Sequence, residues 1–335
     1  MRALILDGDA GIDHLSVVDR PAAEPAAGQV AVTMKAASLN YRDLATVESP
    51  MIKARLPLVS LSDGCGVVSA VGAGVTRVAV GDRVAPLFFQ GWLGGEPTGP
   101  ALATALGGAL DGVARDQVVL SENGVSKVPA ALSDEEAACL PCAALTAWRA
   151  LMVEGGLKPG DVVLAQGTGG VSIFALQFAK MAGATVIITS SSDQKLERAR
   201  ALGADHTINY RTDPDWAKAA RRLTGGRGVD QVVEVGGAGT FQQSIQAIRI
   251  GGRIAVIGVL TGAVQDLNVA AMFGANARIH GITVGSREHF ESMCRAIEAN
   301  AIRPVVDKRF PLEDAQRAFR AMQAGEHFGK IVLNF

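Results

Sequence analysis

Four small residues, Gly167-Thr168-Gly169-Gly170, follow the apolar run Val162-Val163-Leu164-Ala165-Gln166 and precede a helical pattern that opens at Val171. Strand, glycine turn and helix form the arrangement that cradles a dinucleotide's pyrophosphate. Glycine lets the backbone approach closely, and the helix turns its first N–H groups and positive dipole end to the anion. The third glycine of the usual spacing is Ser172 here. About 20 residues past such a turn, NAD enzymes carry an acidic residue for the ribose 2′-hydroxyl. This chain reads Thr189-Ser190-Ser191-Ser192-Asp193-Gln194-Lys195 in that region. Ser190, Ser191 and Lys195 offer donors and positive charge suited to a 2′-phosphate, which favours NADPH and leaves NADH possible. Asp193 argues the other way, unless it caps the charged helix that follows.

Further candidates stand at strand ends. Val235-Gly236 and Ile257-Gly258-Val259 close two apolar runs and are expected to face the crevice of an open sheet, where ligands bind. Tyr210, with Arg211 beside it, is expected near the adenine. Cys139-Leu140-Pro141-Cys142 has the spacing of a metal or redox pair, but no histidine lies near it in sequence. It reads as small apolar residues within an Ala-rich helix, and zinc is not expected. Phe88, Phe89 and Trp92, at the start of the Gly- and Pro-rich stretch Gln90–Gly108, would suit the rim of a flat apolar pocket or pack onto a core.

The elements that must position these residues change texture along the chain. Up to about residue 124, short apolar runs such as Gln29–Ala36, Gly64–Val71, Gly81–Leu87 and Asp116–Leu120 alternate with turn signals. They predict a mostly antiparallel β domain. Ser133-Asp134-Glu135-Glu136 fits a capping box that opens a helix towards Met152. From Lys158, strands Asp161–Gln166, Thr185–Thr189, Val229–Val235, Arg253–Gly258 and Ile279–Val284 alternate with helical segments, including Val171–Ala182 and Asp193–Leu202. That alternation predicts a doubly wound parallel sheet. An amphipathic helix, Leu312–Ala324, and a strand, Lys330–Asn334, end the chain, and the strand is expected to return to the first domain. The 335 residues are 48% hydrophobic, enough for two cores. With 32 Lys and Arg against 33 Asp and Glu, no global field recruits nucleic acid or an anionic membrane. The N-terminus lacks the apolar core of a signal peptide, no apolar run spans a bilayer, and four cysteines make no disulfide framework. A soluble cytoplasmic protein acting on a small-molecule acceptor is the expectation.

Several segments together resemble the medium-chain dehydrogenase/reductase superfamily, and most of all its zinc-free quinone oxidoreductase-like members. They are Ala37-Ser38-Leu39-Asn40-Tyr41-Arg42-Asp43-Leu44, Gly64–Gly72, Val80-Gly81-Asp82-Arg83-Val84, Leu145-Thr146-Ala147-Trp148, the glycine turn and Ala201-Leu202-Gly203-Ala204-Asp205. The resemblance implies a GroES-like domain from residues 1–124 and 287–335, an inserted Rossmann domain from residues 125–286, an active site in the cleft between them, and a homodimer. It also implies that the zinc members' first ligand cysteine falls on Asn40, their His-Glu pair on Ser62-Asp63 and a further ligand on Cys142. A catalytic zinc takes three strong protein ligands. Only Cys142, helped by Asp63, qualifies.

The cofactor set is then Thr146, Gly167, Thr168, Gly169, Gly170, Val171, Ser190, Ser191, Lys195, Tyr210, Val235, Ile257 and Val259. Val284 and Ser286 join it because their segment resembles the one beside the nicotinamide, and Lys330 because Phe328-Gly329-Lys330 resembles one that brings a lysine to the cofactor. A solvated edge-strand lysine is the competing reading of Lys330. Asn40 and Tyr41 are the catalytic candidates, since they replace the metal-bearing segment and a phenol can donate a proton. Arg42 and Asp43 are expected to form a structural ion pair. Without a Lewis acid, hydride transfer rests on positioning and hydrogen bonds to the developing oxyanion. That suits a quinone, an α,β-unsaturated carbonyl or a related carbonyl. An NAD(P)-dependent alcohol dehydrogenase and a non-catalytic nucleotide-binding protein are the alternatives.

Overall fold

The structure, a computed structural model, describes residues 1–49, 51 and 55–335. It separates into two units, Met1–Leu145 with Val284–Phe335, and Thr146–Thr283. The first stretch supplies strands β1 (Arg2–Leu6), β2 (Leu15–Asp19), β3 (Gln29–Ser38), β4 (Leu58–Val59), β5 (Asp63–Val71), β6 (Arg83–Pro86), β7 (Gln117–Ser121) and β8 (Val125–Lys127). Its helices are α1 (Tyr41–Glu48), α2 (Gly99–Leu102) and α3 (Asp134–Ala138). β3 pairs antiparallel with both β5 and β7, so Val30, Val32, Val68 and Val118 meet in one core.

The chain passes from the first unit to the second within α4 (Leu145–Trp148), which follows one π-type helical segment, Leu140–Ala144, and precedes another, Arg149–Val153. There follow β9 (Val162–Gln166), α5 (Gly170–Met181), β10 (Thr185–Ser190), α6 (Asp193–Ala201), β11 (His206–Asn209), α7 (Trp216–Leu223), β12 (Val229–Glu234), α8 (Ala238–Ala247), β13 (Ile248–Val256), α9 (Val269–Ala275) and β14 (Arg278–Gly281). The six strands are parallel in the order β11-β10-β9-β12-β13-β14. The chain therefore winds outward from β9 and crosses to β12 on its other side. The C-terminal ends of β9 and β12 form the switch point at which such sheets bind ligands. β13 begins five residues before the expected Arg253. Gly251-Gly252, with φ +73° at Gly251, masks its apolar pattern.

The remaining elements are α10 (Arg287–Ala299), β15 (Val306–Pro311), α11 (Ala315–Gln323) and β16 (Lys330–Asn334). β16 lies between β15, parallel, and β3, antiparallel, and so returns to the first unit. Residues 125–145 belong to that unit, although the sequence reading assigned them to the second. β8 pairs with β6, and α3, capped reciprocally by Ser133 and Glu136, packs on β3 and β5. Among the described residues, no helix is long and apolar enough to cross a membrane.

Candidate active site

In the first unit, three distant segments converge at the end of β3. Asn40 is the N-cap of α1, in extended backbone, and Asp43 accepts its N–H at 2.8 Å. Asp43 is buried and paired with Arg42 at 3.1 Å. The Arg42 guanidinium also donates to the carbonyls of Leu106 and Gly107 and lies over the Phe88 ring. The expected structural ion pair is thus present.

Lys330, the first residue of β16, is buried, contrary to the reading of a solvated edge-strand lysine, because β16 is an interior strand. Gly329 makes the approach, with φ +83° and a position where a Cβ would lie 2.5 Å from the Val305 carbonyl oxygen. The Lys330 ammonium donates to the Leu39 carbonyl at 2.6 Å and to Asn40 Oδ1 at 2.5 Å. A donor-only ammonium fixes the Asn40 amide with its oxygen towards the lysine. Asn40 Nδ2 is buried and makes no hydrogen bond of ordinary geometry.

Asp63, at the start of β5, is wholly buried beside this pair. Its Oδ1 accepts from the Ser62 hydroxyl at 2.7 Å and its Oδ2 from the Cys142 N–H at 2.8 Å. Burial pushes Asp63 up to about 6, and the Asp43 charge adds to this, while Lys330, Ser62 and the nearby Asn40 amide oppose it. The positions where the resemblance puts metal ligands are therefore together, but they carry an amide, a hydroxyl, a carboxylate and a cysteine. Both carboxylate oxygens and the amide oxygen already accept hydrogen bonds. Burial holds the thiol of Cys142 well above its usual range and that of Cys139 up to about 11. Among the described residues, no group of three His, Cys, Asp or Glu is placed to hold a metal. This donor set does not fit a catalytic zinc.

Tyr41, next to Asn40, is half exposed. Val284 is buried with φ +50°. The Ser286 hydroxyl is engaged as the N-cap of α10, accepting from His289 N–H at 3.2 Å. Phe88, Phe89 and Trp92 are buried and stacked edge-on or tilted, with Trp92 against His289. They pack onto a core.

In the second unit, most of the expected cofactor residues sit at the C-terminal ends of adjacent strands: Gly167–Val171 after β9, Ser190 and Ser191 at β10, Tyr210 after β11, Val235 after β12, and Ile257 and Val259 after β13. Gly167 has φ +73°, and nothing lies within 4 Å of a Cβ built at Gly167 or Gly169. Gly169 is the N-cap of α5 and brings no side chain to cap it. No side chain caps α5 and the glycine turn leaves room beside it, which fits an anionic ligand. Ser172, the departure from the glycine spacing, is buried and donates to the Gln166 carbonyl at 2.5 Å, tying helix to strand.

Ser190 Oγ accepts from Ser192 N–H at 3.3 Å, and Ser192, not Asp193, caps α6. The Asp193 carboxylate accepts from Asn209 Nδ2 at 2.7 Å. Tyr210 N–H donates to the Ser190 carbonyl, which brings the ends of β10 and β11 together. Lys195 lies in the first turn of α6, and Thr146 is buried in α4. Sequence reasoning passed over Glu234, the last residue of β12. It is wholly buried and accepts hydrogen bonds from five groups around this crevice. An acid directly ahead of Val235-Gly236-Gly237 was the available signal.

Comparisons with known proteins cover both units. Residues 26–130 match the family model of the alcohol dehydrogenase GroES-like domain, and residues 170–299 that of the zinc-binding dehydrogenases. The chain is 44% identical over 341 residues to a zinc-type alcohol dehydrogenase-like protein of Schizosaccharomyces pombe, covering 99% of each. It superposes on the crystal structure of an NAD-dependent alcohol dehydrogenase with a TM-score of 0.90 and 40% identity, covering 100% of both chains. Against Escherichia coli quinone oxidoreductase complexed with NADPH, the TM-score is 0.86 and the identity 26%, again over 100% of both chains.

Proposed function

Because the chain belongs to the medium-chain dehydrogenase/reductase superfamily and is an oxidoreductase with a nicotinamide cofactor, we propose that it is a zinc-independent, NADPH-dependent reductase of quinones, α,β-unsaturated carbonyls or related carbonyls. One observation carries the zinc-independent part: Asn40 and Asp63, where the resemblance puts metal ligands, are an amide and a carboxylate clustered with the Lys330 ammonium. Their hydrogen bonds close the oxygens that a metal would need.

The bound nicotinamide supplies the hydride. Acceptors that delocalise the resulting negative charge need only hydrogen-bond donors and a fixed pose. Asn40 Nδ2 is a buried donor that makes no hydrogen bond of ordinary geometry; it is oriented by Lys330 and is the candidate donor to an oxygen of substrate or ribose. Tyr41, half exposed beside it, is the candidate proton donor. The open first turn of α5 suits the pyrophosphate, and Ser190, Ser191 and Lys195 suit a 2′-phosphate.

A second reading, an NAD-dependent alcohol dehydrogenase, draws on Asp193 and on the name of one similar structure. Metal content of the purified protein, activity after chelation, and turnover of NADPH and NADH with a panel of quinones, enones, aldehydes and alcohols separate the two. The expected outcome is NADPH consumption with quinones or enones, undiminished by chelation. Activity lost with the metal and restored by zinc would sink the proposal. Cofactor binding without turnover across the panel would favour a binding protein.

A further inference from the structure

We propose that Glu234 is a positioning residue for the cofactor, whose carboxylate locks the glycine turn after β9 to the loops after β12 and β13. The inference rests on the nicotinamide-cofactor reading above, and on neither NADPH nor NADH in particular. Three donors converge on Glu234 Oε1: the N–H groups of Gly236 and Gly237, at 2.8 and 3.0 Å, and the Thr240 hydroxyl at 2.6 Å. Oε2 accepts from Gln166 Nε2 at 2.7 Å and from the Ser244 hydroxyl. Among the described residues, Glu234 has no ion-pair partner, so neutral dipoles alone hold its carboxylate.

Gln166 is the hinge of the arrangement. It directly precedes Gly167, and while its Nε2 meets Glu234, its Oε1 accepts from the N–H groups of Val235 and Gly236 at 3.3 and 3.2 Å. The Glu234 carbonyl in turn accepts from the N–H groups of Ile257 and Gly258. The two loops are stitched onward by Ala238 N–H to the Gly262 carbonyl at 2.9 Å and Thr261 N–H to the Gly236 carbonyl at 2.7 Å. Gly237, with φ +86°, has no room for a Cβ, which would meet the Gly262 carbonyl oxygen at 2.5 Å. The segments so fixed hold Gly167, Val235, Ile257 and Val259, all expected to border the ligand.

The isosteric change Glu234→Gln breaks this pattern by logic rather than by size. A carboxylate accepts at both oxygens, whereas the amide must present an NH2 to one set of donors. If the NH2 faces Gly236 and Gly237, two immobile backbone donors meet a third. If it faces Gln166, that side chain must flip and abandon Val235 and Gly236. No arrangement satisfies every group, and buried unpaired donors are costly enough to move a loop.

The test measures the dissociation constants of NADPH and NADH by fluorescence titration of the full chain, with unfolding curves of the cofactor-free protein alongside. Glu234→Gln is expected to weaken the preferred cofactor by about tenfold or more. Asp230→Asn is the control. Asp230 sits at the other end of β12, held by Arg227 and Arg249. Its loss should lower stability while leaving cofactor affinity within about twofold. Where Glu234→Gln does not fold, Ser244→Ala and Thr240→Val each remove one donor and should give a smaller weakening in the same direction. Wild-type affinity in a folded Glu234→Gln protein, or in both single-donor variants, would overturn the inference. So would weakening that merely tracks lost stability in Asp230→Asn as well. Wild-type protein that binds neither cofactor would overturn the cofactor reading together with it.

Discussion

Helices α5 and α8 start at the C-terminal ends of neighbouring parallel strands, yet their first turns meet different partners. At α8, the amides of Gly236 and Gly237 are taken by Glu234, Ala238 N–H by the Gly262 carbonyl, and Gly239 N–H by the Thr261 hydroxyl. A Cβ at Gly236 or Gly237 would collide with its surroundings. At α5, the N-cap is Gly169 with no capping side chain, and a Cβ there would meet open space. Both helix starts carry N–H groups without intrahelical partners and a positive dipole end that attract an anion. The protein fills one with its own carboxylate and brings no capping side chain to the other, which suits the proposed phosphate site. A glycine-rich helix start is thus not enough to mark a phosphate site; the absence of an internal acid completes the signal.

The comparison breaks most visibly if the filled end can be emptied without harm. Glu234→Leu should lower folding stability by about 3 kcal/mol, because it leaves Gly237 N–H and part of the Gln166 amide buried without acceptors. Chemical denaturation monitored by circular dichroism reads this, and a change under about 0.5 kcal/mol would mean that the carboxylate is not what holds the turn.

The open end makes the opposite prediction. Gly169 has φ −80° and ψ −175°, extended backbone that any residue adopts. Gly169→Asp should cap α5 and raise stability by a few tenths of a kcal/mol at most. The same carboxylate would repel the pyrophosphate, so cofactor affinity should fall by about a hundredfold. Melting curves and cofactor titration on one sample check both signs. A variant that binds cofactor as well as wild type would show that α5 does not hold the phosphates.

Both helix starts belong to the part of the fold that the sequence displays well. Val162–Gln166 and Thr185–Ser190 are short apolar strands bounded by glycine and serine turns, so period, length and breakers agree. The return of Lys330–Asn334 to the first sheet was legible for the same reason. Glu234 was not, because an acid at the end of Val229–Glu234 reads as a strand's polar terminus until Gln166, Ser244 and Thr240 are brought to it by folding. Lys330 was half legible: the strand was visible, but its neighbour β15 lies in Val306–Pro311, whose charged, mixed pattern hid a strand. The cluster of Asn40, Asp63 and Lys330 joins residues nearly 300 apart, which local patterning does not report.

The smallest expected effect concerns α6, the third helix to start at this edge of the sheet, capped by its own Ser192. With its N-terminus engaged, α6 offers an anion fewer free amides than α5, so a 2′-phosphate there would depend on side chains. Ser190 is already used by Ser192 N–H, and Asp193 is held by Asn209. Ser191 and the Lys195 charge are the groups proposed to separate NADPH from NADH. Lys195→Ala should weaken NADPH by about fivefold to tenfold and leave NADH unchanged, the loss of one partly exposed charge contact worth about 1 kcal/mol. Titration of both cofactors against wild type and variant decides it. If both affinities move together or neither moves, the strand-end serines and Lys195 do not form a 2′-phosphate site. Asp193 would then be the residue to test, with Asn209→Ala releasing it for a ribose hydroxyl.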